Sequence, residues 1–221
     1  MQEKSIPLEL KYFITDKLYH QNFIPKNSFE LLGNPLKEWL KKLLDHYEVP
    51  EQGQILSKVS SKAEITGRVY IEEGCKVEPY SYIQGPAFIG KGTEIRHGAY
   101  LRGNTYIGPN CVVGHTTEVK ESVFFDHAKA GHFAYVGNSI LGRHVNLGAG
   151  TKLANLKLRK NLVRYQNPET KKINCSGLKK FGAILGDYCQ TGCNSVISPG
   201  SLLLPHATVL PCEHFHGTKT K

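Results

Sequence analysis

Residues 59–119 read VSSKAEITGRVYIEEGCKVEPYSYIQGPAFIGKGTEIRHGAYLRGNTYIGPNCVVGHTTEV. Every sixth residue, Val59, Ile65, Ile71, Val77, Ile83, Ile89, Ile95, Leu101, Ile107, Val113 and Val119, is aliphatic. The residues two before each, starting at the second, are Ala63, Val69, Cys75, Ser81, Ala87, Thr93, Ala99, Thr105, Cys111 and Thr117, none larger than valine. No ordinary helix or hairpin period generates two such columns. A strict period of six is the hexapeptide repeat of a parallel β-helix. Each hexad supplies a short strand and a turn. The aliphatic side chain points into a narrow core and the small one fits beside it. Three hexads close one triangular coil, and stacked coils hydrogen-bond about 4.8 Å apart.

Further along, the column slips. Val119 to Leu141 is 22 residues, not a multiple of six, after which the column resumes at Leu141, Leu147 and Leu153. It breaks again over 155–182 and returns at Leu185, Thr191, Ile197, Leu203 and Val209. A repeat that interrupts its own register loses packing, so the interruptions are where function is sought. Segment 155–182 carries Lys157, Arg159, Lys160, Arg164, Lys171, Lys172, Lys179 and Lys180 against the single acid Glu169, which is +7 of the chain's +9. It reads as a basic loop extruded from one corner of the prism.

The sequence before the repeats has a different character. Asn34-Pro35 reads as an N-cap with proline at the first helical position. Leu36, Leu40, Leu43, Leu44 and Tyr47 then fall on one helix face, stopped by Pro50 and Gly53. Leu8 to Phe23 is apolar enough for another short helix. The expected organisation is a helical N-terminal segment, 1–54, a β-helix over 55–211, and a tail over 212–221.

Composition limits the function classes. The chain has 221 residues, 40% hydrophobic and 21% charged, which is ordinary globular usage. The first residues carry no apolar signal region, and the longest aliphatic run is Leu202-Leu203-Leu204. A secreted or membrane protein is therefore not expected, and a cytoplasmic one is. The six cysteines contain no CxxC, and no second pair of ligands stands near Cys189 and Cys193 at zinc-like spacing. They read as small buried or semi-buried thiols, with no metal site. A sequence pI near 9.2 invites a nucleic-acid reading. No RNP motif, zinc finger or helix-turn-helix pattern accompanies it.

The slip contains Lys129-Ala130-Gly131-His132-Phe133-Ala134-Tyr135-Val136-Gly137, followed by Val145-Asn146-Leu147-Gly148-Ala149-Gly150-Thr151. These stretches resemble the K-x-G-H-x-x-Y-x-G and V-N-x-G-A-G-T segments of the acetyltransferase domain in the bifunctional N-acetylglucosamine-1-phosphate uridyltransferase/glucosamine-1-phosphate acetyltransferase family. The resemblance covers roughly 55–211 by repeat pattern and is specific over about 102–156 and 180–193. The extruded loop looks more like that of archaeal sugar-phosphate nucleotidylyltransferases bearing a similar domain. The fold class implied is mainly β, a left-handed parallel β-helix with a short helical N-terminal segment and the extruded basic loop.

The resemblance also implies roles. His132 would be the catalytic base, taking the proton from an amine as it attacks the thioester of acetyl-CoA. Glu118 would orient that imidazole. Arg102, Lys120, Tyr135, Asn146, Asn155 and Lys180 would bind the sugar phosphate, the arginine by its planar fork and the lysines as point charges. Ala149 and Cys193 would lie against CoA, Cys193 standing where the family has a serine. Leu156 stands where the family has a tyrosine. Acetyl-CoA is the implied co-substrate, with no metal for the acetyl step, in a homotrimer whose sites lie between neighbouring prisms. No Gly-rich nucleotidyltransferase motif is present, so this chain is not expected to make a UDP-sugar by itself.

The expected function is N-acetylation of an amino sugar phosphate, glucosamine 1-phosphate first. Three alternatives stay open. One is acyl transfer to another sugar or sugar-nucleotide acceptor. Another is a non-catalytic trimeric sugar-phosphate-binding module. The third is a nucleic-acid-binding β-helix using the basic loop, whose binding would depend steeply on salt.

Overall fold

A computed structural model describes residues 7–220. Among them the strands form three parallel sheets of nine, seven and eight strands, plus a two-stranded hairpin. Successive strands rotate through the sheets. Val69–Ile71 lies on the first face, Lys76–Val77 on the second and Tyr82–Gln84 on the third, and Ala87–Ile89 returns to the first. The hexads thus build the β-helix their period predicts. The aliphatic column fills the prism, with Ile71, Ile83, Ile89, Ile95, Leu101, Ile107, Val113 and Val119 fully buried. The small column does more than fit. Thr93 Oγ1 donates to the Gly108 carbonyl at 2.8 Å, Thr117 Oγ1 to Ala130 at 3.1 Å and Cys111 Sγ to Phe125 at 3.1 Å, so these buried polar atoms are paired inside the prism.

The slip is not a gap. Phe124, Ala130 and Val136 continue the buried column between Val119 and Leu141. Val113 pairs with Ala130, Val119 with Val136 and Phe124 with Leu141, so each coil here is 17 residues long instead of 18. One residue is lost at the same place each time, the corner from the third face to the first. Glu121 (φ 47°) and Asn138 (φ 45°) occupy that tightened corner in the left-handed conformation.

The basic loop leaves from the same corner. Leu156 and Lys180 bridge its base, and Gly182 N–H donates to the Asn138 carbonyl at 2.9 Å. It leaves the prism but does not stand out in solvent. Arg164–Gln166 and Ile173–Cys175 form a hairpin that lies back along the prism, with Val163, Tyr165 and Phe181 buried. The β-ladder also continues past 211 through His214–Phe215 and Thr218–Lys219, so most of the segment read as a tail belongs to the last coil.

The N-terminal segment has a definite task. On the first face the outward residues Tyr70, Phe88, Tyr106, Val123, Ile140, Ile184 and Leu202 are all apolar or aromatic. The helix Gly33–His46 buries Leu36, Trp39, Leu40, Leu43 and Leu44 in a second core with them. It opens at Gly33 (φ +61°), one residue before the expected cap Asn34. The helix expected within 8–23 reduces to one 3₁₀ turn, Leu10–Tyr12, and a second such turn covers Ser28–Leu31. Burying each large side chain contributes about 1.5–3 kcal/mol, which holds a segment with little regular structure.

All six cysteines are free. Cys75, Cys111 and Cys189 are buried and Cys175 is half-buried, but Cys193 and Cys212 are exposed, against the expectation of six covered thiols. Burial raises the Cys189 thiol to about 12. Those buried thiols act as small core residues.

His20 sits beneath the N-terminal cover, its Nδ1 2.7 Å from the Tyr106 hydroxyl and its Nε2 2.7 Å from that of Tyr47. Burial, helped by His46, lowers its pKa from 6.5 to about 4. Between those values the unfolded chain binds more protons, so this contribution is present above the unfolded pKa. It is lost as pH falls towards the folded one, by about 3 kcal/mol in all. Burial pushes the Glu72 and Asp126 carboxyls up, which opposes the loss at the acid end. Urea unfolding at pH 7.5 and 4.5 should show the drop in the wild type and a flatter dependence in His20→Gln.

Candidate active site

The third face and its two bounding corners gather the polar residues. Tyr100, Glu118 and Tyr135 are register partners on successive strands, so their side chains form one outward row. Arg102 and Lys120 stand two residues on from Tyr100 and Glu118, beside the tightened corner. Arg102 Nη1 donates to Glu118 Oε1 at 2.6 Å, and its guanidinium lies 5.6 Å from the Tyr100 ring centroid. Lys120 Nζ is 3.4 Å from Glu121 Oε1. Lys180 reaches the same place from the base of the loop. Its ammonium is held below the ordinary lysine value because that of Lys120 stands within hydrogen-bonding reach and repels its proton. Three cations therefore meet two carboxylates, leaving a net positive corner on three separate coils.

A chain of hydrogen bonds ties this corner to the face. Glu121 Oε2 accepts from Asn138 Nδ2 at 2.6 Å, Asn138 Oδ1 from Asn155 Nδ2 at 2.6 Å, and Asn155 Oδ1 from the Tyr135 hydroxyl at 3.4 Å. Burial raises the Tyr135 phenol, with the Glu118 carboxylate adding to it. A Cβ on Gly137 would lie 2.6 Å from the Tyr135 hydroxyl and 2.8 Å from Asn155 Nδ2, so glycine leaves the room in which they meet. Asn138→Gly should keep the left-handed backbone at no steric cost and delete both of its side-chain bonds. We expect trypsin to cut the basic loop several-fold faster in that variant, at an unchanged cleavage rate elsewhere.

His132 lies across the third face, at its corner with the second. It ends the strand Lys129–His132, pairs in register with His115 and is exposed. Gly150 N–H donates to the His132 carbonyl and Asn194 N–H to that of Ala149, so His132, Ala149 and Cys193 stack on three successive coils of one corner. Asn146 is exposed on the adjoining second face, next to Lys129.

The structure corrects one expected pairing. The Glu118 carboxylate bonds to Arg102, and among the described residues no hydrogen bond or ion pair joins it, or any other side chain, to the His132 ring. The two sit on different faces, and Arg102 occupies the same face as the carboxylate. Arg102, Lys120, Tyr135, Asn155 and Lys180 lie together on the third face and its tightened corner. Glu121 and Asn138 were not anticipated. Their only sequence signal is their position in the two five-residue steps, Val119 to Phe124 and Val136 to Leu141.

A three-sided parallel β-helix built on a six-residue period is the architecture of the hexapeptide-repeat class. Within that class the chain belongs to the family of the GMPPB C-terminal domain, whose sequence profile matches residues 83–214. It is 40% identical over 158 residues to a bifunctional sugar-1-phosphate nucleotidylyltransferase/acetyltransferase of Sulfurisphaera tokodaii, covering 72% of this chain and 39% of that protein. It is 44% identical over 153 residues to the bifunctional protein GlmU of Methanococcus maripaludis, covering 66% of this chain and 36% of that one. The chain thus spans about two fifths of the curated relatives it matches. Among solved structures, a Francisella novicida UDP-N-acetylglucosamine acyltransferase is similar at TM-score 0.47 and 14% identity, covering 73% of this chain and 62% of its own.

Proposed function

We propose that the chain transfers an acetyl group from acetyl-CoA to the amine of an amino sugar phosphate, with glucosamine 1-phosphate as the first acceptor to test. The observation that carries this reading is the convergence of Arg102, Lys120 and Lys180 on one corner, facing an unengaged imidazole across a single sheet. Arginine and lysine together suit a dianionic phosphate, the guanidinium by its fork and the ammonium groups as point charges. One relative is named a bifunctional sugar-1-phosphate nucleotidylyltransferase/acetyltransferase and another the bifunctional protein GlmU, which supports acetyl transfer in a sugar-phosphate setting.

In this mechanism the phosphate is held by the cation corner, which presents the neighbouring amine to the third face. The amine nitrogen attacks the thioester carbonyl, and His132 takes its proton. The carbon–sulfur bond breaks as the tetrahedral intermediate collapses. The thiolate leaves and is protonated from His132. Glu118 acts here through Arg102, neutralising part of its charge and fixing its position, rather than through the imidazole. Ala149 and Cys193, on the coils beyond His132, lie where the donor arm would pass. The reading carries a homotrimer with it, in which a neighbouring prism closes the site.

Mass spectrometry of the purified chain with acetyl-CoA and glucosamine 1-phosphate tests it directly. Formation of N-acetylglucosamine 1-phosphate supports the proposal. Turnover only with another acceptor moves the reaction to that acceptor, and binding of the sugar phosphate without turnover leaves a binding module.

A further inference from the structure

The two exposed cysteines, Cys193 and Cys212, are neighbours. Both lie on the ridge between the second and third faces, on successive coils. Cys212 N–H donates to the Cys193 carbonyl at 2.9 Å. A bond of this kind between parallel coils sets the two Cα atoms roughly 5–6 Å apart. A disulfide spans about 4.4–6.8 Å between Cα atoms, so the pair stands at bonding separation.

The turns that carry the two thiols are held in that relation. Asn194 N–H donates to the Ala149 carbonyl at 2.8 Å, tying the first turn to the coil before it. Leu210 N–H donates to Glu213 Oε2 at 2.7 Å and Glu213 N–H to the Leu210 carbonyl at 3.2 Å, closing the second. Pro211 packs on Gly192, where a Cβ would lie 2.3 Å from the proline nitrogen. Side-chain rotation, rather than backbone movement, is then what joins the sulfurs. The other thiols compete poorly. Burial pushes Cys75, Cys111 and Cys189 up, away from the reactive thiolate. Cys175 is half-buried on the hairpin, in register with Arg164.

We propose that Cys193 and Cys212 are a modification site, a dithiol that a peroxide closes to a disulfide. One thiolate attacks a peroxide oxygen, the O–O bond breaks, and a sulfenic acid forms with release of the first water. The second thiolate attacks the sulfenic sulfur, the S–O bond breaks, and the second water leaves. Two thiols are oxidised, losing two hydrogens and two electrons, and one hydrogen peroxide is reduced to two waters. A small dithiol reopens the bond by exchange. The consequence for activity rests on the acetyl-transfer reading. Cys193 stands on the column of His132 and Ala149, where the donor arm would pass. Drawing its sulfur onto Cys212 reshapes that wall, so oxidation should weaken acetyl-CoA binding.

The full chain treated with one equivalent of hydrogen peroxide tests the site without needing turnover. Its mass should fall by two hydrogens, about 2 Da, and return with dithiothreitol. Alkylation after unfolding should then label four cysteines in place of six. Chymotrypsin, cutting at Leu202 and Leu203, should release the Cys193 and Cys212 peptides joined to each other. Cys193→Ser and Cys212→Ser should each abolish the linkage. In the wild type, oxidation should raise KM for acetyl-CoA several-fold, reversibly. Cys212→Ser should keep the reduced KM after the same treatment. Sulfinic or sulfonic acid without a linkage overturns the proposal, as does a bond to Cys175 or Cys189, or one between two chains. An oxidised wild type with unchanged KM overturns the link to donor binding. A peroxide-formed Cys193–Cys212 bond in a chain that, reduced, acetylates no acceptor defeats the acetyl-transfer reading while leaving the dithiol.

Discussion

His132→Ala should lower kcat/KM for acetyl transfer by about 10²- to 10⁴-fold, the usual contribution of a general base. The variant should fold as the wild type does. The ring is exposed and makes no hydrogen bond among the described residues, so its removal should change stability by no more than about 0.5 kcal/mol. The nearest substitute is poorly prepared. His115, its register partner, already has Nδ1 3.1 Å from the His97 carbonyl and stacks on the His97 ring. Steady-state kinetics at saturating acetyl-CoA, with a melting curve beside them, provide the check. Turnover within threefold of wild type would remove His132 from the chemistry. Glu118→Gln adds a discriminating comparison. If Glu118 works through Arg102, this variant should raise KM for the sugar phosphate more than it lowers kcat.

Phe88→Ala should cost about 3–5 kcal/mol, the range for emptying a buried aromatic site. Phe88 is fully buried between the prism and its N-terminal cover. Its ring stacks on Tyr106 at 5.5 Å and meets His20 edge-on at 5.0 Å, with Tyr47 and Tyr70 at 5.4 and 5.3 Å. These rings come from both layers, so the hole opens exactly where the two cores join the molecule's parts together. In a chain of this length the loss should lower the melting temperature by roughly 10 °C. A shift under 2 °C would show that the cover contributes little to the stability of the prism.

The hexad column made the core legible because its period is imposed by the coil itself. Every interior aliphatic from Val59 to Val119 was placed by counting sixes. The count failed where a corner shortened. Phe124 comes five residues after Val119, and Ala130 is too small to stand out as a core position, although both line the prism. The covered face was also readable in principle. Tyr70, Phe88 and Tyr106 recur every 18 residues, one before an inward isoleucine. Each merges with its neighbour into a short apolar run, which conceals that two sides of the strand are buried. The candidate site was legible where a motif carried it, as at His132 and Tyr135. The pairing of Arg102 with Glu118 was not, because it is a diagonal contact between stacked coils. Sixteen residues of spacing do not reveal which of two nearby partners a carboxylate takes.

The covered first face has a geometric consequence. A prism with one side sealed by its own chain offers two sides to copies of itself. A closed ring needs two different patches per member, one for each neighbour. The second and third faces are the pair left for that purpose, and His132 stands on the ridge between them. A ring that used those two faces would carry its imidazoles along the inner edge between neighbours, whereas peeling away the N-terminal segment would expose a third, apolar side and open routes to assemblies that do not close.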